Sequence, residues 1–214
     1  MVKAVIFDVW GTLVETGLKS SPNKLVKKFL REKSDFSDFI IKFEESFMTK
    51  EFESLKEGFE NVVVDFGLDI PDFVYDKLIG MWNKNAILAR PYEDISILKE
   101  LKNGGYKVFV LSNLDKFSHE QLKQKINFEE EFDGVYLSYQ TGKLKNNVES
   151  FDNLLKENDL NKEDVVMVGD SIQSDIESAR QAGISSILID RRDTREFDPK
   201  ITSFEELTSV LEQF

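Results

Sequence analysis

Four short apolar runs, at Ala4–Phe7 and at residues 107–111, 165–168 and 186–189, constrain this chain more than any other feature. Each is an unbroken β-branched or aliphatic stretch closed by a polar residue or a glycine. A half-wet strand would alternate apolar and polar residues. Unbroken runs instead read as strands buried on both faces, with helices covering the sheet from either side. Helical stretches lie between or after them at 116–126, 148–158 and 172–182. Strands alternating with helices predict an α/β fold, a Rossmann-like doubly wound parallel sheet. Gly134–Leu137 is a candidate fifth strand.

The stretch 16–90 has a different character. It is helical in pattern, crowded with Phe, and holds one strand-like run at 61–64. Ser21-Pro22 offers an N-cap followed by a first-turn proline, opening a helix through about Arg31. Pro71 and Pro91 mark later boundaries. The expectation is a core of residues 1–15 and 91–214 with an α-helical cap, 16–90, inserted after the first strand. Residues 203–214 read as a closing amphipathic helix.

In an open parallel sheet, reactive groups collect at the carboxyl ends of the strands. Asp8 follows the first run, in Phe7-Asp8-Val9-Trp10-Gly11-Thr12. Ser112 and Asn113 follow the second. Gly169, Asp170 and Ser171 follow the third, with Asp175 four residues beyond Ser171. Lys145 precedes the helix that leads into that third run. Converging carboxylates repel one another unless a cation lies between them. The chain has no Cys and a single His, His119, which excludes thiol chemistry and multi-histidine metal sites. Oxygen-only ligands suit magnesium. Beside that ion and Lys145, an aspartate can attack phosphorus, while the Ser112 hydroxyl and nearby N–H groups hold phosphoryl oxygens. Gly11 permits a close approach to a ligand, and Gly169 the turn that presents Asp170.

The formal charge of −12, from 28 basic and 40 acidic residues, argues against nucleic acid and anionic membranes as partners. It allows a small anionic substrate in a locally reversed field. No apolar run approaches the roughly 18–20 residues that span a bilayer, and the N-terminal run is too short for a signal peptide. A cytoplasmic monomer or homodimer is the expectation.

With these residues in place, the chain resembles the haloacid dehalogenase superfamily over essentially its whole length. Four family motifs fall in order: Asp8 to Thr12; Ser112; Lys145, in Gly142-Lys143-Leu144-Lys145-Asn146; and Gly169-Asp170-Ser171-Ile172-Gln173-Ser174-Asp175. The resemblance implies that Asp8 is the nucleophile, and that Asp8 and Asp170 bind magnesium with the Trp10 carbonyl. Asp175 would support the ion from behind those ligands or through water. Ser112 and Lys145 would assist catalysis; with Gly11, Thr12 and Asn113 they would bind the substrate. The cap position and last motif resemble the branch of phosphoglycolate phosphatases and haloacid dehalogenases. The activity implied is hydrolysis of a small phosphorylated metabolite through an aspartyl phosphate.

Two residues after the nucleophile, phosphatases of this family carry a second Asp that protonates the leaving oxygen and then activates water. Here Trp10 stands there and cannot transfer a proton. Two alternatives follow. Trp10 with Ser112-Asn113 leans toward a 2-haloacid dehalogenase, in which the Asp attacks carbon without a metal; Asp170 leans away, and Arg31 is the candidate anchor for a substrate carboxylate. A catalytically silent, phosphate-binding or regulatory member is the other. Lys143 competes with Lys145, Thr12 can simply cap its loop, Ser171 can be a helix N-cap, and His119 is expected on a helix surface.

Overall fold

The computed structural model describes residues 2–214. Its strands, in chain order, are β1 (Ala4–Phe7), β2 (Val14–Glu15), β3 (Arg90–Pro91), β4 (Lys107–Ser112), β5 (Gly134–Leu137), β6 (Val165–Gly169), β7 (Ser185–Ile189) and β8 (Lys200–Ile201). Six of them form one sheet in the order β5-β4-β1-β6-β7-β8, and every pairing is parallel. β2 and β3 make a small antiparallel ribbon.

Successive side chains on a strand point to opposite faces, and the core divides accordingly. Val5, Phe7, Val108, Val110, Val166 and Val168 join one apolar cluster. Ala4, Ile6, Phe109, Leu111, Val165 and Met167 join another. The first is covered by α5 (Ile97–Asn103), α6 (Lys116–Leu122), the short α7 (Phe128–Glu131) and α8 (Ser138–Thr141), and α11 (Leu207–Leu211), the second by α9 (Val148–Glu157) and α10 (Ser178–Gln181). The four short runs are therefore the buried, doubly covered strands that their composition predicts, and Gly134–Leu137 is the fifth.

Between β2 and β3 lie four consecutive helices: α1 (Pro22–Leu30), α2 (Phe36–Met48), α3 (Leu55–Asp65) and α4 (Asp72–Leu88). They bury an apolar cluster of their own, built on Phe39, Phe43, Phe47, Phe59, Leu78 and Trp82. Phe39, Phe43 and Phe47 recur every fourth residue and stack on one face of α2, with centroids 5.7 and 5.4 Å apart. Trp82 meets Phe43, Phe47 and Phe59 edge-on, and its indole N–H donates to Asp115 Oδ2 at 3.0 Å. Lys125 donates to the carbonyls of Ala86, Ile87 and Ala89 at the end of α4.

Three local expectations need correction. The run 61–64 is helical, part of α3: Ser54 caps that helix by accepting from Glu57 N–H. Buried Leu55, Gly58, Phe59, Val62 and Val63 keep helical spacing, and packing overrides three consecutive valines. His119 is buried rather than on a surface. The inner side of α6 carries it against Phe128, with Nδ1 2.9 Å from the Tyr139 hydroxyl. The closing helix is shorter than 203–214: Ser203 and Glu206 form a capping box around a 3₁₀ turn, and α11 ends at Leu211. Ser21 takes the N-cap position of α1, but its side chain makes no capping bond.

Candidate active site

The carboxyl ends of β1, β4 and β6 bring the chemistry together. Asp8 leaves β1 buried, and Ser112, the last residue of β4, donates its hydroxyl to Asp8 Oδ1 at 3.1 Å. Lys145, in the turn before α9, is 3% exposed, and its ammonium lies 2.5 Å from Asp8 Oδ1 while also bonding Asp175 Oδ1. Lys143 points elsewhere and pairs with Glu149 near the surface, so burial singles out Lys145 of the two. One carboxylate oxygen from each of Asp8, Asp170 and Asp175 lies within 4.8 Å of the others.

Two glycines make this crowding possible. Gly11 has φ +74°, and a Cβ there would stand 2.3 Å from Asp170 Oδ2. At Gly169 a Cβ would stand 2.3 Å from Asp175 Cγ. Gly169 thus serves less to turn the chain than to let Asp175 fold back against it. Asp175 accepts from Ser171 N–H at 2.9 Å, and Ser171 Oγ caps the following π-helical turn, Ile172–Glu177, by accepting from Ser174 N–H. Arg195 anchors the Asp170 carbonyl at 2.5 Å.

Three carboxylates here face one ammonium. Burial, and then the charges of Asp8 and Asp175, push the Asp170 carboxyl up to about 8. Burial also lifts Asp175, to about 6, against the pull of Lys145. Burial would lower Lys145, but Asp175 and Asp8 outweigh it and hold the ammonium above the ordinary lysine value. The lysine therefore stays charged, and the excess of buried negative charge sits on oxygen donors. That donor set fits a hard divalent cation, which would relieve the repulsion the protein groups leave standing.

The other sequence candidates fall on both sides. Asn113 adjoins the site: its Oδ1 accepts from Lys145 N–H at 2.9 Å. Thr12 is fully buried and caps nothing; its Oγ1 has no hydrogen-bond partner among the described residues. Trp10 is half-buried and packs on the sheet's apolar cluster. Arg31 is not brought to the site. It is exposed at the left-handed C-cap of α1, its N–H returned to Lys27 and Lys28 carbonyls.

One residue that sequence reasoning passed over comes to this place. Glu44, half-buried on α2, accepts from Asn113 Nδ2 at 2.8 Å. Its only sequence signal is its phase, one helical turn before buried Met48 and one residue after buried Phe43. A surface carboxylate avoids such a position.

The family model for haloacid dehalogenase-like hydrolases matches residues 5–189. A glyceraldehyde 3-phosphate phosphatase of Methanothermobacter thermautotrophicus is 30% identical over 197 residues, covering 88% of this chain and 86% of that protein. Among solved structures, a 2-haloacid dehalogenase of Pseudomonas syringae superposes with a TM-score of 0.65 at 17% identity, covering 100% of this chain and 99% of that one. A HAD family enzyme of Bacteroides thetaiotaomicron, solved in complex with magnesium and inorganic phosphate, superposes at 0.62 and 19% identity, covering 92% of this chain and 98% of the other. Both likenesses speak to the fold alone. With the family match running through the three strand ends and the Lys145 turn that hold the site, the chain belongs to the haloacid dehalogenase-like hydrolases.

Proposed function

We propose that this hydrolase is a magnesium-dependent phosphatase of a small phosphorylated metabolite, working through an aspartyl phosphate on Asp8. The observation that carries the reading is the contact of Asp8 with both Ser112 and Lys145, in a cluster with Asp170 and Asp175. A nucleophile, a hydroxyl donor and a cation for phosphoryl oxygens meet beside an oxygen-only metal cradle. The name of the archaeal relative makes a three-carbon phosphate ester the first natural substrate to test.

Asp8, Asp170 and the Trp10 carbonyl would hold the ion, with Asp175 supporting it. Bound there, magnesium neutralises charge on the phosphoryl oxygens and lowers the repulsion between two anions. Lys145 and Ser112 orient the phosphoryl group by donating to its oxygens. An Asp8 oxygen bonds to phosphorus as the ester oxygen leaves, and water then releases phosphate and restores the carboxylate. The helices α1–α4 act as a cap over these steps, and Gly11 and Asn113 line the approach, with Thr12 buried behind them. No helix among the described residues is long and apolar enough to cross a membrane, and the net charge suits a small anionic substrate better than nucleic acid.

The dehalogenase alternative keeps Trp10 in its favour, but the arginine it would use lies exposed at the end of α1. An aryl phosphate assay with and without magnesium, run beside chloride release from a 2-chloroacid, separates the two. The expected outcome is magnesium-dependent phenol release that Asp8→Asn lowers by a factor on the order of 10⁶, with no chloride. Calorimetry should show magnesium binding that Asp170→Asn removes. Chloride release without metal, or full phosphatase activity in Asp8→Asn, overturns the proposal.

A further inference from the structure

The phosphatase reading leaves one task without a residue. An ester oxygen must take up a proton as it leaves, and water must give one up afterwards. Trp10 occupies the place of the family's usual proton carrier and can do neither.

The geometry at Asn113 supplies a candidate from the helical insertion. Asn113 Oδ1 is committed to Lys145 N–H, at 2.9 Å, which turns its Nδ2 outward to hold Glu44 Oε2 at 2.8 Å. Asn113 follows Ser112 in the chain, and Ser112 is bonded to Asp8. A bracket one residue wide therefore joins the nucleophile's own partner to a carboxylate of the helical insertion. Glu44 Oε1 carries no hydrogen bond among the described residues, so half of the carboxylate is uncommitted. In-line displacement puts the leaving oxygen on the far side of phosphorus from Asp8. A proton donor for it must come from beyond the sheet edge, and Glu44 belongs to a helix outside the sheet that reaches Asn113.

We propose that Glu44 is the general acid–base residue of this site, doing from the helical insertion the work that Trp10 cannot do beside the nucleophile. This rests on the phosphatase reading. In the first step the Asp8 oxygen–phosphorus bond forms, the phosphorus–ester oxygen bond breaks, and the protonated Glu44 carboxyl gives its proton to the departing oxygen, leaving an alcohol. In the second, Glu44 as carboxylate takes a proton from water while the water oxygen bonds to phosphorus. The bond to Asp8 breaks, phosphate leaves, and Glu44 ends protonated again. The net change is ester plus water to alcohol plus phosphate.

The surroundings favour both forms of this carboxyl. Burial raises it to about 7; the Asn113 bond and Lys145 pull it down, and the charges of Asp8 and Asp175 push it up. A group poised near neutrality is what proton transfer in both directions requires.

The test compares wild type with Glu44→Gln on phosphate esters whose leaving groups run from nitrophenol to a simple alcohol. A poor leaving group needs the proton and a good one does not. Glu44→Gln should therefore lose about 10²–10⁴-fold on the alkyl ester and much less in the first step on the aryl ester, giving a steeper leaving-group dependence. With nitrophenyl phosphate it should also release a burst near one equivalent of phenol before slow turnover, because breakdown of the aspartyl phosphate has lost its base. A thermal melt establishes that the variant is folded. Should it unfold, Glu44→Asp, which keeps the acid but draws it back by one methylene, should show the same selective loss in milder form. A folded variant with wild-type alkyl rate and leaving-group dependence overturns the Glu44 proposal and leaves the phosphatase reading standing. Absence of phosphate release from every ester with wild type overturns both.

Discussion

The sheet and the helical insertion solve the same packing problem with different materials. The sheet is built mostly of valine, isoleucine and leucine, and the backbone ladder fixes where each strand ends. Asp8, Ser112 and Asp170 owe their placement to those ends, so main-chain hydrogen bonds position the chemistry. The insertion is held by stacked rings, with Phe47 and Phe59 centroids 4.8 Å apart and Trp82 edge-on to both. No ladder dictates where Glu44 stands; the rotation of α2 about its Phe stripe does. Position is thus set by backbone in one half and by side-chain packing in the other. A change of side chain should disturb the second far more easily.

Phe47→Ala is the strongest way to break that contrast. Truncating a fully buried ring costs about 3–5 kcal/mol. Chemical denaturation should show that loss, while formation of the aspartyl phosphate from an aryl ester in the folded fraction stays near wild type. An equal loss of that first step would mean the sheet edge leans on the insertion after all. Lys145→Met attacks the other half. It removes one charged donor to the phosphoryl group and should lower kcat/KM by about 10²–10³-fold, or about 2.7–4 kcal/mol. A variant with unaltered kinetics would remove Lys145 from the site.

Two smaller effects sharpen the comparison at its seams. Burial holds the His119 imidazole down at about 4, against an ordinary 6.5, with a further push from Lys123. Between those values the unfolded chain binds more protons, so the stabilisation present above pH 6.5 is lost as pH falls toward 4. Denaturation from pH 7 to 4 should show wild type losing on the order of 2 kcal/mol more than His119→Gln; parallel curves would refute the assignment. Last, Ser54→Ala removes the cap of α3 and should destabilise the fold by about 1 kcal/mol, with leaving-group dependence unchanged. Any change in that dependence would tie α3 to the placement of Glu44.

What was legible in the sequence follows the same division. Strand ends are local events, so Asp8, Ser112, Asn113 and Asp170 could be placed from apolar runs and the residues that close them. The choice of Lys145 over Lys143 needed burial, which two neighbouring lysines do not display. His119 misled because one histidine on a seven-residue helix has no visible phase. Residues 61–64 misled because three valines favour a strand until the packing of α3 decides otherwise. Glu44 was invisible for a deeper reason. Its distance to Asn113 spans 69 positions and depends on how two separately packed halves meet, which no run of residues records.

The chain contains two tryptophans, and the fold has dealt one to each half. Trp10 lies two residues beyond the nucleophile, half in contact with solvent. Trp82 is 6% exposed among the Phe rings, its indole N–H tied to the carboxylate of Asp115. The molecule therefore carries a pair of intrinsic optical reporters with separate addresses. With Trp82→Phe, the remaining emission follows whatever arrives beside Asp8. With Trp10→Phe, it follows the helices and their seam with α6, so that loosening of the insertion can be watched in real time without a dye, a label or a substrate.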